Sequence, residues 1–396
     1  MNEPLRVMLL VTNLGIGGAQ RQVIELARGL DRSRFEPTVV TVYSGHPLEQ
    51  DLLAAGDVRL LSLDRRHKLD VGSLPKLVSL LRRERTQIVQ PYMTPAAFFG
   101  LTAAWLARTP LRIATERNGA YAGRPGAGAR LYAALERRFV HSADAVVPNS
   151  QAGRRHLQSQ GVPPEKVRVI YNGIGEGRFA IAPGEAQLVR DQLRIPADGR
   201  VVGIVGRLDD AKDHETFLNA VPIVLSLEPD AWFVIVGEGH RRWRLEARAA
   251  ELGVAERVRF AGNQTRIAPY IANFDVSVLS SCDDEGCSNF VLESMAMGKP
   301  VVCTDIGGNR EVVSNGRDGI IVPVRHAPAL ARAIAEVLLD SELALSLAQA
   351  GRATFEQRFS QAEMVSEYER LYEELWAAYE ARQAAGAGRV AEAQGD

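Results

Sequence analysis

At 396 residues, 46% hydrophobic and 24% charged, the chain has the size and make-up of a globular protein of two or three domains, not of a disordered or fibrous one. Three cysteines, Cys282, Cys287 and Cys303, fall within 22 positions with no CxxC; this excludes a disulfide framework, argues against a zinc site and makes a reducing cytoplasmic setting the default. The net charge of −1 conceals an asymmetry, because residues 1–175 hold 24 Lys+Arg against 14 Asp+Glu (+10) and the remainder 23 against 34 (−11).

Residues 6–12 read as a buried parallel strand. The first apolar stretch is too short for a signal sequence and runs into a glycine turn, Asn13-Leu14-Gly15-Ile16-Gly17-Gly18-Ala19. A helix to about Leu30 follows. A strand, a glycine-rich turn and a helix start let a ligand approach the backbone and place free N–H groups beneath it. The spacing is not a full GxGxxG, and no acidic residue is placed to hold a ribose near residues 38–43, so the dinucleotide fingerprint is weak. Further strands are expected at residues 38–42, 58–63, 88–90, 111–115 and 145–147, with helices at 74–85, 96–107 and 129–142 between them. Such alternation implies a doubly wound parallel sheet, the α/β class. No apolar run reaches the ~18 residues a membrane span requires, so the protein is expected to be soluble or peripheral.

Leu74, Leu77, Val78 and Leu81 form one apolar helix face, for which core packing is the ordinary reading and membrane contact the minority one. Glu116, Arg117 and Asn118 follow a strand, where open α/β sheets keep ligands, and are candidate sugar or acceptor contacts; a structural salt bridge is the competing reading. Arg65-Arg66-His67-Lys68, Arg82-Arg83 and Arg137-Arg138 make this half basic. Together they suit an anionic membrane surface or acceptor; singly, each reads as a solvated helix face. Nothing suggests nucleic acid.

After a strand at 146–150, the polar, glycine-bearing segment Asn172-Gly173-Ile174 suits a hinge. The second half opens with strand 201–205, the turn Gly206-Arg207-Leu208 and Lys212, a planar fork and a compact charge suited to phosphate oxygens. Strand 232–236 ends at Gly237-Glu238-Gly239, and strand 258–260 at Ala261-Gly262-Asn263. Strand 276–279 then leads through the acidic loop Asp283-Asp284-Glu285-Gly286-Cys287 to Ser288, an N-cap for a helix over 289–297 that Gly298 and Pro300 end. That turn presents amides to an anion. Glu285 and Glu293 flank it, and carboxylates beside an anion socket are costly unless hydroxyls bind them. A ligand with phosphate in the middle and polyols at both ends, a nucleotide-sugar, fits. Singly, Glu293 reads as a solvated helix residue and Glu285 as part of an acidic loop. Asp305-Ile306-Gly307-Gly308-Asn309-Arg310-Glu311 makes another glycine turn, completing the site or serving as a tight turn. A long helix from about Gln361 precedes an Ala/Gly-rich tail from Gln383 that is expected to be disordered.

Glu285, seven residues and Glu293, within EGCSNFVLESMAMGKPVV, resemble the signature of the retaining family 4 glycosyltransferases, a likeness that extends from Arg6 to about Tyr379. That resemblance implies the GT-B architecture, two Rossmann-like domains facing across a cleft: an acceptor domain over 1–175, a nucleotide-sugar domain over 176–360, and a C-terminal helix over 361–382 crossing back. It implies that Glu293 holds the nucleotide ribose, Glu285 the transferred sugar, and Arg207 with Lys212 the diphosphate, Arg207, Lys212 and Glu285 being catalytic. The loop at Gly17 and Gly18 resembles the family's GGA turn. With Gly206, Gly237, Gly286, Cys287, Ser288 and Asn289, these residues complete the implied donor site. Family members place a histidine near residues 116–119; this chain has none there.

The activity so implied is transfer of a hexosyl or N-acetylhexosaminyl group from a nucleotide-sugar to a glycan or lipid-linked acceptor with retention of configuration. The reaction would be a front-face attack, serving cell-surface polysaccharide or glycolipid synthesis at the inner face of the membrane. No cofactor is expected and no metal, since Asp209-Asp210 and Asp283-Asp284 are adjacent pairs without outside support. The alternatives are a nucleotide-sugar epimerase of the same architecture, an NAD-dependent dehydrogenase, which the weak fingerprint opposes, and a non-catalytic binding protein.

Overall fold

The computed structural model describes residues 3–54, 56, 58–65, 72–92, 94–116, 140–283 and 285–393. The expected roles of Arg117 and Asn118, the basic residues Arg66, His67, Lys68, Arg137 and Arg138, most of the helix expected at 129–142, and Asp284 lie outside them.

Two six-stranded parallel sheets account for the strands among the described residues. The first has the order β3-β2-β1-β4-β5-β6, with β1 Leu5–Val11, β2 Phe35–Thr41, β3 Arg59–Ser62, β4 Ile88–Tyr92, β5 Leu111–Glu116 and β6 Ala145–Pro148. The second has the order β12-β11-β10-β7-β8-β9, with β7 Arg200–Val205, β8 Ala231–Val236, β9 Val258–Gly262, β10 Val276–Leu279, β11 Val301–Thr304 and β12 Ile320–Val322. Central strands such as β1 (LRVMLLV) and β8 (AWFVIV) are apolar along both faces, because helices cover both sides of a parallel sheet. In each sheet the chain order reverses beside a central strand, β1 or β7, which opens a crevice at the carboxyl ends of the strands.

The chain crosses between the lobes twice, near Ile174 and again near residues 359–361. Ile174 N–H donates to the Phe359 carbonyl (3.1 Å) and Gln361 N–H to the Ile174 carbonyl (3.2 Å), so the outgoing and returning segments run side by side. Gly173 is obligatory there: an added Cβ would lie 2.6 Å from the Ser360 carbonyl oxygen. The last helix, Gln361–Ala393, then crosses to the first lobe, where Met364, Tyr368, Leu371 and Tyr372 are buried in the same core as β1 and β4. It runs on to Ala393 over most of the segment expected to be disordered from Gln383. Alanine's helix propensity, extending a helix already nucleated by packing, outweighs the lack of apolar anchors. A further link is Glu311 in the second lobe. Its carboxylate accepts from the N–H groups of Gln151 (2.6 Å) and Ala152 (2.8 Å), the first turn of the Gln151–Ser159 helix in the first lobe. Among the described residues no helix is long and apolar enough to cross a membrane.

Candidate active site

Between the lobes lies a cleft of about 430 Å³. Its walls carry Gly17 and Gly18 from the first lobe, and Gly206, Arg207, Lys212, Gly237, the 285–290 segment and Glu293 from the second. Every residue named as donor-binding or catalytic from the sequence therefore meets in one place. Glu116 ends β5 half-buried and outside this lining.

The floor on the second lobe is made by strand ends. Gly206 N–H donates to the Val236 carbonyl (3.0 Å), and Gly237 has φ +144°, with an added Cβ falling 1.9 Å from the Gly206 carbonyl oxygen. A side chain at Gly237 would force the β7 and β8 turns apart. Arg207 stands on this floor with its side chain 74% exposed, 3.2 Å from Asp209. Lys212 is more enclosed. The Ser280 hydroxyl donates to the Lys212 and Asp213 carbonyls (2.9 and 3.0 Å), and Cys282 N–H to the Ala211 carbonyl (2.9 Å), tying the lysine's loop to the end of β10.

Lys212 Nζ donates to Glu285 Oε2 at 2.6 Å, and the Ser281 hydroxyl donates to the same oxygen at 2.6 Å. Glu285 is itself buried. Its backbone carbonyl receives the Gly308 N–H at 2.9 Å, and Gly307, at φ +54°, passes so close that a Cβ would sit 1.8 Å from that oxygen. The 305–308 glycine turn thus buttresses the Glu285 loop, and the Gly308 amide is engaged there. His214, two residues after Lys212, is wholly buried; burial pushes its pKa down to about 3 and keeps it neutral.

Glu293 lies at the other end, 2% exposed, and pairs with the Arg178 guanidinium. Burial pushes its pKa up, while Arg178 opposes the shift. Sequence reading missed Arg178, which sits in a short turn, Glu176–Arg178, just past the hinge. It also missed Glu25 on the Gly18–Gly29 helix. Glu25 is pushed up to about 7, mainly by burial and also by the Glu293 charge, with Arg28 and a hydrogen bond from the Gly175 backbone pulling the other way.

The Asn289–Ala296 helix begins at the cleft, but Ser288, although in the N-cap position, makes no side-chain capping bond. The expected cap is absent, and the helix's first amides are left to the cleft. Cys287 offers its carbonyl to Asn172 Nδ2 (2.7 Å), and a Cβ on Gly286 would lie 2.4 Å from Asn149 Oδ1, so the loop packs backbone-close to the first lobe. Among the described residues no group of three or more His, Cys, Asp or Glu side chains is arranged to hold a metal.

Two parallel sheets facing one cleft, with a final helix returning to the first lobe, define the GT-B fold. The family model described as Glycosyltransferase Family 4 matches residues 16–178, and that described as Glycosyl transferases group 1 matches residues 186–354. The chain is 30% identical over 356 residues to the lipopolysaccharide core biosynthesis glycosyltransferase LpsE of Rhizobium meliloti, covering 90% of this chain and 95% of that one. It is 26% identical to the UDP-Gal:alpha-D-GlcNAc-diphosphoundecaprenol alpha-1,3-galactosyltransferase of Escherichia coli, covering 83% and 86%. Its fold matches that of Anabaena HepE, solved in complex with UDP-glucose, with a TM-score of 0.79 at 24% identity over 93% of this chain and all of the other. The chain belongs to glycosyltransferase family 4.

Proposed function

We propose that this glycosyltransferase moves a hexosyl or N-acetylhexosaminyl group from a nucleotide-sugar to a glycan or lipid-linked acceptor, with retention of configuration, in cell-surface polysaccharide or glycolipid synthesis. One observation carries the reading. Two cations and a helix start on the second lobe face the glycine turn of the first, with one buried carboxylate on each side of the gap. A diphosphate occupies the centre, Glu285 meets the sugar and Glu293 the ribose. As the bond between the anomeric carbon and phosphate breaks, negative charge gathers on the leaving diphosphate, where Lys212, Arg207 and the helix amides stabilise it.

Glu285 shares one carboxylate oxygen with Lys212 and Ser281, an arrangement that orients a sugar hydroxyl rather than one that frees a nucleophile for double displacement. Front-face attack, the leaving phosphate accepting the acceptor's proton, follows. Cation and amide donors replace a metal in this scheme, and full activity in excess EDTA is the expected result; loss that Mn²⁺ or Mg²⁺ restores would overturn that part. The UDP-glucose bound by HepE and the UDP-Gal and diphosphoundecaprenol acceptor named for the Escherichia coli relative support a uridine donor and a lipid-linked acceptor. Turnover of a panel of UDP-, GDP- and ADP-sugars, each with and without acceptor, tests the reading. An isomeric sugar nucleotide formed without acceptor would mark an epimerase instead.

Association with the inner face of the membrane completes the proposal. Leu77 and Leu81 are buried, as core packing requires. Leu74 and Val78, from the same face, instead line an apolar groove with Pro75 and Leu106, edged by Arg82 and Arg83. Trp105, the sequence neighbour of Leu106, is 63% exposed. Apolar anchors with a basic rim suit an anionic bilayer. Co-sedimentation with phosphatidylglycerol vesicles but not with phosphatidylcholine vesicles is expected; equal absence from both would remove this part.

A further inference from the structure

The Gly18–Gly29 helix turns one polar face toward the second lobe. Gly18, Gln22 and Glu25, at spacings of four and three, lie on it together. Gln22 is 1% exposed, although glutamine is ordinarily a surface residue. Its Oε1 accepts from Gly173 N–H (3.1 Å) and its Nε2 donates to the Gly173 carbonyl (2.9 Å), so one side-chain amide clasps the hinge as a second strand would. The same Nε2 donates to Asn289 Oδ1 (3.2 Å), which also receives Asn172 Nδ2 (2.8 Å). With two donors on its oxygen, the Asn289 amide has a fixed orientation, and its Nδ2 donates to the Gly18 carbonyl (3.1 Å).

The Asn289 side chain thus joins two helix starts from different lobes, Gly18 and Asn289, and the buried Gln22 amide holds that side chain and the hinge together. Both starts line the cleft. Each contributes free N–H groups and the positive end of a helix, and their separation decides whether one diphosphate meets both. We propose that Gln22 is a positioning residue for glycosyl transfer: by clasping Gly173 and orienting Asn289, it fixes the glycine turn across the diphosphate site and ties that spacing to the hinge setting. This rests on the donor site proposed above. Gln22 has no need to touch the donor. Its work is to make the two lobes present their amides together, so that the closed arrangement that excludes water is also the one that completes the site.

The test uses the full chain with the donor and acceptor found by the panel. Gln22→Ala should lower kcat about tenfold to a hundredfold, as expected for orphaned buried partners. Donor KM should change less than about threefold, while hydrolysis of donor to free sugar rises relative to transfer. A purely structural role would lower the melting temperature without moving that ratio. The isosteric Gln22→Glu keeps the shape and covers the case where the alanine variant folds poorly. Its carboxylate faces the Gly173 carbonyl and Asn289 Oδ1 without a proton to donate, so its kcat relative to wild type should recover as the pH falls and the carboxyl protonates. Wild-type kcat and an unchanged hydrolysis ratio in Gln22→Ala, or a Gln22→Glu deficit that is flat with pH, would overturn the inference. Lys212→Ala, run alongside, separates the two levels: an inactive Lys212→Ala with an unaffected Gln22→Ala sinks the clasp and leaves the donor site standing.

Discussion

Lys212→Ala removes the more enclosed of the two cations. An ammonium about 4 Å from a unit charge is worth about 4 kcal/mol at an effective dielectric of ~20, and the enclosed position of Lys212 warrants that value rather than the value in water. Part of this interaction is present in the bound donor, because the diphosphate is already anionic. Only the charge gained as the glycosidic bond breaks, roughly half to three-quarters of a unit charge in the transition state, acts on the chemical step. That leaves about 2–3 kcal/mol, or kcat lowered by about 30-fold to 150-fold. Arg207, 74% exposed and beside Asp209, is better screened, so Arg207→Ala should fall less. The Lys212 Nζ–Glu285 bond of 2.6 Å adds a complication, since alanine also leaves a buried carboxylate with its Ser281 partner alone of the two. Comparing Lys212→Ala, Glu285→Gln and the double variant isolates that coupling. The assay is steady-state release of nucleoside diphosphate at saturating acceptor, with each variant's melting temperature recorded. A kcat for Lys212→Ala within twofold of wild type, or a defect confined to donor KM, would refute the charge-stabilisation reasoning.

Three further outcomes are expected. Arg178→Ala leaves Glu293 buried without its cation and should cost about 3–5 kcal/mol of stability in denaturant unfolding; Arg178→Ala/Glu293→Gln should regain most of that but not donor affinity, and no regain would contradict the pairing. Glu25, pushed up to about 7 from 4.5, holds a proton in the folded state that the unfolded chain releases, so its contribution to stability falls as pH rises through that window. Glu25→Gln should therefore flatten the melting-temperature profile between pH 5 and 8 and melt higher than wild type at pH 8; an unchanged slope would assign the pH dependence elsewhere. Gly237→Ala places a Cβ 1.9 Å from the Gly206 carbonyl oxygen at φ +144°, and should lower both melting temperature and donor affinity, with wild-type values for both refuting the close approach.

Features carried by local pattern were legible in the sequence. The sequence places the β10 strand to the residue because a short, mostly apolar run, Val276-Ser277-Val278-Leu279, leads into an acidic loop, and the glycines at 17, 18, 206 and 237 mark the strand ends that line the cleft. Features that depend on distant partners were not. Arg178 meets Glu293 across 115 positions and Gln22 meets Gly173 across 151, and neither residue sits in a pattern that sets it apart from a solvated surface residue. Ser288 shows the opposite failure: the residue type for an N-cap is present, yet no side-chain capping bond forms. For the tail from Gln383 the sequence offers only composition, which does not register that a packed helix upstream meets the cost of nucleation.

The most direct measurement is a crystal structure of the full chain with the nucleoside diphosphate of its preferred donor. The diphosphate is expected within hydrogen-bonding distance of Lys212, Arg207 and the amides at the start of the Asn289–Ala296 helix, with the ribose on Glu293. A diphosphate bound outside the interlobe cleft, or inside it with the ribose turned toward Glu285, would contradict the assignment of the site.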